Sequence, residues 1–414
     1  MSNSWGKWGQ LGQWARQATL KWVMGFMGLI ALIGHLSVTS CSPEPPLHLY
    51  DVQELVVEVS VVNLDVEGFW ETVMDLNMQM DIDTKWYYGW DEIDFETHHS
   101  PIGYTMPTAF EVRRYYTGEK PNIPHTNVVL DTLQGPHFQR WWEWGYWDML
   151  LWNMIETHDG VQSLVIDETS SLDSVIAYTN QTMRSTRYNA PKYTHAFHAP
   201  ELLFSAYKTG IEINKNLDGF VYDAERDVWV RTDTVKIRPV TYIYLTQVIL
   251  KNNNGRIVGI DGNADLSGMA RSTNLNTGVA GNDAVTVFFN ANLKKDCDMD
   301  GKLVDIIGGR VVTFGIPGMR ADAEIKRSAN GRKRADEVKD KHRHYMDFTM
   351  LFNNGLDSTF VFDVTDQVRE QPKGGVLSIE LDVDNVPIPS RSGGSGFDAV
   401  VKDTEDGGTY EFDM

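Results

Sequence analysis

The sequence predicts an all-β protein, two β-sandwiches in tandem behind an export signal. Strict period-two alternation carries the first part of that reading. In Thr72–Ile82, Met74, Leu76, Met78, Met80 and Ile82 fall on one side, and Val73, Asp75, Asn77, Gln79 and Asp81 on the other. That is the pattern of a half-buried strand, not a helix. The second observation is the spacing of turn signals: Asn252-Asn253-Asn254-Gly255, Asn353-Asn354-Gly355 and Lys373-Gly374-Gly375 separate strand candidates where a positive φ is needed. The third is that no stretch sustains the βαβ rhythm of a nucleotide-binding sheet.

Taken in order, residues 1–40 read as a lipoprotein signal peptide. They hold Lys7, Arg16 and Lys21 and no acid, then an apolar run from Trp22 to Leu36, then Val38-Thr39-Ser40 before Cys41. A positive start, a short apolar stretch and small residues before the cut mark an export signal. The run is short against the roughly 20 apolar residues of a membrane span. The alternative is an uncleaved N-terminal anchor helix. Residues 41–46 follow as a Pro-rich tether. Cleavage before Cys41 takes 40 residues and three positive charges from a chain of 414 with net charge −20, leaving 374 residues at −23. That length fits two domains, and that charge argues against nucleic acid as a partner. The other cysteine, Cys297, has no mate for an internal disulfide once Cys41 is acylated, so the fold must rest on an apolar core.

The first sandwich is expected over 47–190, with strands at Glu54–Val62, Thr72–Ile82, Ala109–Tyr116, Leu150–Ile155 and Ser163–Asp167. Residues 191–234 are less regular and read as an inter-domain crossing, with a helical turn at Pro200–Ala206. The second sandwich is expected over 235–390, from Val240–Leu250, Arg256–Asp261, Ala284–Asn290, Val304–Phe314, Tyr345–Phe352, Ser358–Asp366 and Val376–Asp384. Residues 391–414 combine the end of the Gly-rich linker Ser390–Gly396 with an acidic segment whose Val400, Val401, Tyr410 and Phe412 suit late strands.

Candidate sites are few. The aromatic run Trp141, Trp142, Trp144, Tyr146, Trp147 and Trp152 would stack on sugars or anchor a partner if exposed, and is core if buried. Asp296, Asp298 and Asp300 match the start of a Ca²⁺ loop, but Ile307 stands where a bidentate Glu is needed, so an acidic hairpin turn reads better. His98-His99, His342/His344 and His195/His198 are poorly spaced for zinc on strands. Arg320–His344 carries nine Lys/Arg against five Asp/Glu and reads as a solvated hairpin, or as a docking patch for an acidic partner. No nucleophile elbow, catalytic triad order or phosphate loop is present, which leaves an enzyme without support and implies no cofactor.

Several blocks resemble a known family. Val38-Thr39-Ser40-Cys41 is similar to the bacterial lipobox. With Leu266-Ser267-Gly268-Met269-Ala270, Thr313-Phe314-Gly315, Phe360–Asp366, Gly396-Phe397 and Tyr410–Met414, it resembles Bacteroidales surface lipoproteins of the fimbrillin superfamily, related to the fimbrial anchor subunits. The resemblance implies transthyretin-like (Greek-key) sandwiches held to outer-membrane lipid through an acylated Cys41, on the cell surface. It also implies partners among fimbrial subunits, joined by strand addition. The leading functional expectation is therefore a non-enzymatic fimbrial anchor or accessory subunit. The alternative is a surface glycan-binding lipoprotein using the Trp141–Trp152 cluster, and a secreted hydrolase has only acidic richness behind it.

Overall fold

Alternating sequences favour strands because a sheet can bury one row of side chains and leave the other in water. The computed structural model describes residues 59–67, residues 85–390 with short breaks, and the paired segments 399–401 and 410–412. In chain order the first elements are β1 (Val59–Glu67), α1 (Glu92–His98), β2 (Ala109–Gly118), β3 (Asn127–Gln134), β4 (His137–Glu143), β5 (Gly145–Asn153), β6 (Leu164–Asp167), β7 (Ile176–Thr179), β8 (Gln181–Ser185) and β9 (His195–His198). Next come β10 (Phe204–Ile213), β11 (Val221–Asp223), β12 (Val228–Lys236), β13 (Arg238–Pro239), β14 (Tyr242–Lys251), β15 (Ile257–Ala270), β16 (Ser272–Asn274), β17 (Ala284–Met299) and β18 (Lys302–Thr313). The chain finishes with β19 (Ile325–Arg327), β20 (Lys333–Ala335), β21 (Tyr345–Phe352), β22 (Asp357–Asp363), α2 (Thr365–Glu370), β23 (Gly375–Asp382), β24 (Ala399–Val401) and β25 (Tyr410–Phe412). The described chain is all-β in character, as expected.

Two sheets, ordered β11-β12-β1-β4 and β13-β10-β5-β2-β3, pack on each other. One core cluster draws on both, joining Trp142 and Val235 of the first sheet to Phe110, Val112, Met149, Leu151 and Ile211 of the second. Each such side chain contributes on the order of 1.5–3 kcal/mol by leaving water.

The largest sheet runs β23-β14-β18-β17-β15-β21-β22-β24-β25, with β9 also paired to β17 and β8 to β9. It changes layer within β17. Up to Asn290 that strand pairs with β15, and from Ala291 it pairs with β18. Val248, Ile307, Val311 and Leu377 from one layer meet Leu266, Val287, Phe348 and Phe360 from the other in a shared core.

The expected strands at Ala109–Tyr116, Leu150–Ile155, Tyr345–Phe352 and Val376–Asp384 lie where β2, β5, β21 and β23 stand. Thr72–Ile82 lies outside the described residues. Three differences have physical reasons. Residues of the expected crossing segment carry β9, β10, β11 and most of β12. Strand β10 pairs with β5 through a bulge between Lys208 and Ile211, which breaks the alternation that would have revealed it. The Pro200–Ala206 helical turn is absent, and Phe204–Ala206 are strand. The strand expected to run to Asp366 stops at Asp363, whose carboxylate accepts the Thr365 N–H (3.0 Å), and α2 begins there.

Residues 85–105 form a strap across β14, β17 and β18. The Tyr87 N–H donates to Gln247 Oε1 (2.8 Å), and Gln247 Nε2 donates to Lys85 O (2.8 Å). Within the strap α1 starts on a capping box, in which the Asp91 carboxylate accepts the Asp94 N–H and the Asp94 carboxylate accepts the Asp91 N–H. Lys294 of β17 pins the helix, pairing with Asp91 (2.8 Å) and with the fully buried Asp94.

Candidate functional site

The first candidate site is the side of β22 that β24 covers. Its sequence, DSTFVFD, buries Phe360, Val361 and Phe362 almost completely. Phe360 and Phe362 stack at 6.5 Å between centroids, and Phe352 and Phe348 flank them at 6.4 Å each. On one side β21 pairs with the whole strand, from Tyr345 opposite Asp363 to Leu351 opposite Asp357. On the other side stands β24, parallel and only three residues long: Phe360 opposite Ala399, Val361 opposite Val400, Phe362 opposite Val401. Strand β25 then pairs back on β24, with Ala399 opposite Phe412.

Without β24 this apolar strand would present a row of unpaired N–H and C=O groups, the kind of edge native proteins cover. At a net 0.5–1.5 kcal/mol per hydrogen bond, a three-residue ladder holds the cover with only a few kcal/mol. The arrangement can close its own sheet. The same short ladder can release its terminal strands to pair at a neighbour's edge.

The tryptophans separate because the run bends sharply between β4, in one sheet, and β5, in the other. Gly145 makes that turn possible: its φ is +127°, and a Cβ there would lie 2.7 Å from the Tyr116 ring. Trp142 (1% exposed) and Trp147 (4%) enter the first core and meet edge to face at 5.3 Å. Arg114 sits over both, 4.9 and 5.7 Å from their rings, and is held by Asp131 at 2.8 Å. Trp144 is half-buried against the same core, and Trp152 is buried. Of the four proposed platform residues, Trp141 alone is exposed, at 56%. The rings are not brought together as a flat exposed surface.

The acidic run 296–300 forms the end of β17, and the turn to β18 falls at Asp300-Gly301. Asp298 Oδ1 accepts the Gly301 N–H (2.7 Å). Asp300 takes Lys85 Nζ (2.7 Å) and the Tyr87 hydroxyl (2.6 Å), and these two bonds hold its carboxyl below the usual range. Asp296 and Asp300 adopt φ of +55° and +52°. Among the described residues no group of three or more His, Cys, Asp or Glu is placed to hold a metal ion. The basic island forms the small hairpin β19–β20, with Lys326 opposite Arg334. Cys41 lies outside the described residues. No described helix is long and apolar enough to cross a membrane.

No protein-family model matches the chain, and no curated protein matches it. Solved structures similar to it include an adhesin candidate from Bacteroides ovatus, at TM-score 0.44 and 13% identity, covering 80% of this chain and 94% of that one. A second adhesin candidate, from Bacteroides thetaiotaomicron, is similar at TM-score 0.41 and 10% identity, covering 79% and 92%. The fimbrial anchor protein Mfa2 from Porphyromonas gingivalis is similar at TM-score 0.35 and 9% identity, covering 86% and 95%.

Proposed function

We propose that this chain is a non-enzymatic outer-membrane lipoprotein, displayed at the cell surface, that serves as a fimbrial anchor or accessory subunit and engages its partner by strand addition. The observation that carries the reading is the β22 edge, covered by a three-residue parallel strand at the end of a Gly-rich linker. Lent to a partner's open edge, such a strand supplies affinity through main-chain pairing, and alternate side-chain pockets supply selectivity. The export signal, the lipobox-like 38–41 and the Pro-rich tether support anchorage through an acylated Cys41. Several acyl chains on one residue, at about 0.8 kcal/mol per buried methylene, make such anchorage stable.

Two measurements on surface membranes test the proposal. Cys41→Ala is expected to abolish acyl labelling and release the protein from the outer-membrane fraction. Retention at precursor length would favour an uncleaved anchor helix instead. Pull-down of the wild-type protein is expected to bring a fimbrial subunit with it. Recovery of glycan without any subunit would overturn the fimbrial reading.

A further inference from the structure

The strap 85–105 does more than cover the sheet. With the end of β5, the 198–204 connection and the face of β17 and β18, it walls a cavity of about 640 Å³. That is within the roughly 300–1,000 Å³ typical of small-molecule sites. Phe95, Met154 and Phe288 give the lining apolar surface, while His98, Asn153 and Arg310 give it polar groups.

Arg310 is the one Lys or Arg in that lining, and it is only 6% exposed. Its Nε donates to Ile102 O (2.8 Å) and its Nη1 to Ser100 Oγ (3.1 Å), both on the strap. Its Nη2 is buried with no hydrogen-bond partner. Burial pushes the guanidinium down to about 10, so it stays charged at neutral pH. A buried cation without an anion is left with an uncompensated desolvation penalty. Glu201, the one acid of the lining, is engaged elsewhere, accepting the N–H groups of Ser163 (2.7 Å) and Leu164 (2.8 Å).

His98 adds a second unused group, since its Nε2 is also buried without a partner. Burial first, then the charges of Arg310 and His99, push this imidazole down to about 4, so it is neutral at pH 7 and can donate or accept. One fixed positive charge suits a single carboxylate, and a polyanion would find no second cation in the lining. The wall is also preset, because α1 is capped and pinned by Lys294. We propose that this cavity binds a small ligand bearing one carboxylate, with Arg310 as the charge-matched donor and His98 as partner to a neighbouring hydroxyl or carbonyl.

Calorimetric titration of the purified full-length protein at pH 7 tests this with glucuronate, N-acetylglycine and glucose. At least one carboxylate is expected to bind, about tenfold or more tighter than glucose, as one charge-assisted hydrogen bond allows. Which of the two binds identifies a sugar acid or an amino-acid carboxylate as the source. Arg310→Gln is expected to erase the preference. Met154→Trp, at a 39% exposed position on the wall, is expected to block binding without moving the unfolding midpoint. Failure of both carboxylates to bind, equal binding of glucose, or a preference that survives Arg310→Gln would overturn the proposal. Should Arg310→Gln fail to fold, Met154→Trp decides, and undiminished carboxylate binding in that variant overturns it.

Discussion

A Cβ at Gly268 would lie 2.4 Å from the Arg343 carbonyl oxygen and 2.7 Å from His344 Nδ1, at a φ of +83°. The glycine sits where the β15–β17 register shifts, between Ser267 and Met269, so the bulge needs both the conformation and the missing side chain. Gly268→Ala is expected to destabilise the protein by about 2 kcal/mol or more, read as a lower denaturant midpoint. An unchanged midpoint would mean that the seam can open freely. His98 sets a pH response. Its folded value is near 4 against an ordinary 6.5, so the unfolded chain takes up the proton first as pH falls. Stability from this group is intact above pH 6.5 and declines towards pH 4, by up to about 3 kcal/mol. His98→Gln is expected to flatten that part of the stability–pH curve, and an unchanged slope would place the titration elsewhere. Sequence reasoning could weigh the tryptophans because their density in one run forces some rings inward. It could not single out Arg310, since an arginine in an apolar strand carries no sign of which segment will cross it.

Strands with one buried face were the legible elements, because alternation is a local property of the chain. Strand β23 repeats its Leu377, Ile379, Leu381 pattern as buried side chains, with Glu380 in water. Elements shaped by distant partners were harder to read. Strand β6 was read at Ser163–Asp167, but its partner β7, four residues long, and β16, about a hundred residues away, left no signal of the small three-stranded sheet they form with it. Helix α1 did leave a signal, an Asp three residues before another Asp, but seven residues are too few for helical periodicity to show. The pairing of β24 with β22 joins the Phe360–Asp366 block of the family resemblance to Val400 and Val401, which read as late-strand residues, yet its parallel sense has no local signature. Polar and Gly-rich composition predicts that limited proteolysis cuts first within 320–344 and 390–396. Early cleavage within 376–384 would contradict the placement of β23 beside β14.

At the scale of the whole molecule, the proposed function joins an acidic chain, a tether expected to be acylated at Cys41 and a thinly covered apolar edge whose cover can be lent to a neighbour. A net charge of −20 argues against binding nucleic acid or anionic headgroups through bulk charge, so the proposed attachment rests on lipid insertion at Cys41. What distinguishes a lendable cover from an ordinary last pair of strands is how much of the fold depends on it. Three paired residues on β22 contribute a few kcal/mol, so their loss should cost the fold a few degrees of melting temperature and no cooperativity. Deleting residues 397–414 therefore tests the central claim most directly, with thermal unfolding and recovery of fimbrial subunits read on the same preparation. The account predicts a body that still unfolds in a cooperative transition but no longer brings a subunit with it. Collapse of that transition, or undiminished subunit recovery, would show that the terminal strands belong permanently to their own sheet and take no part in assembly.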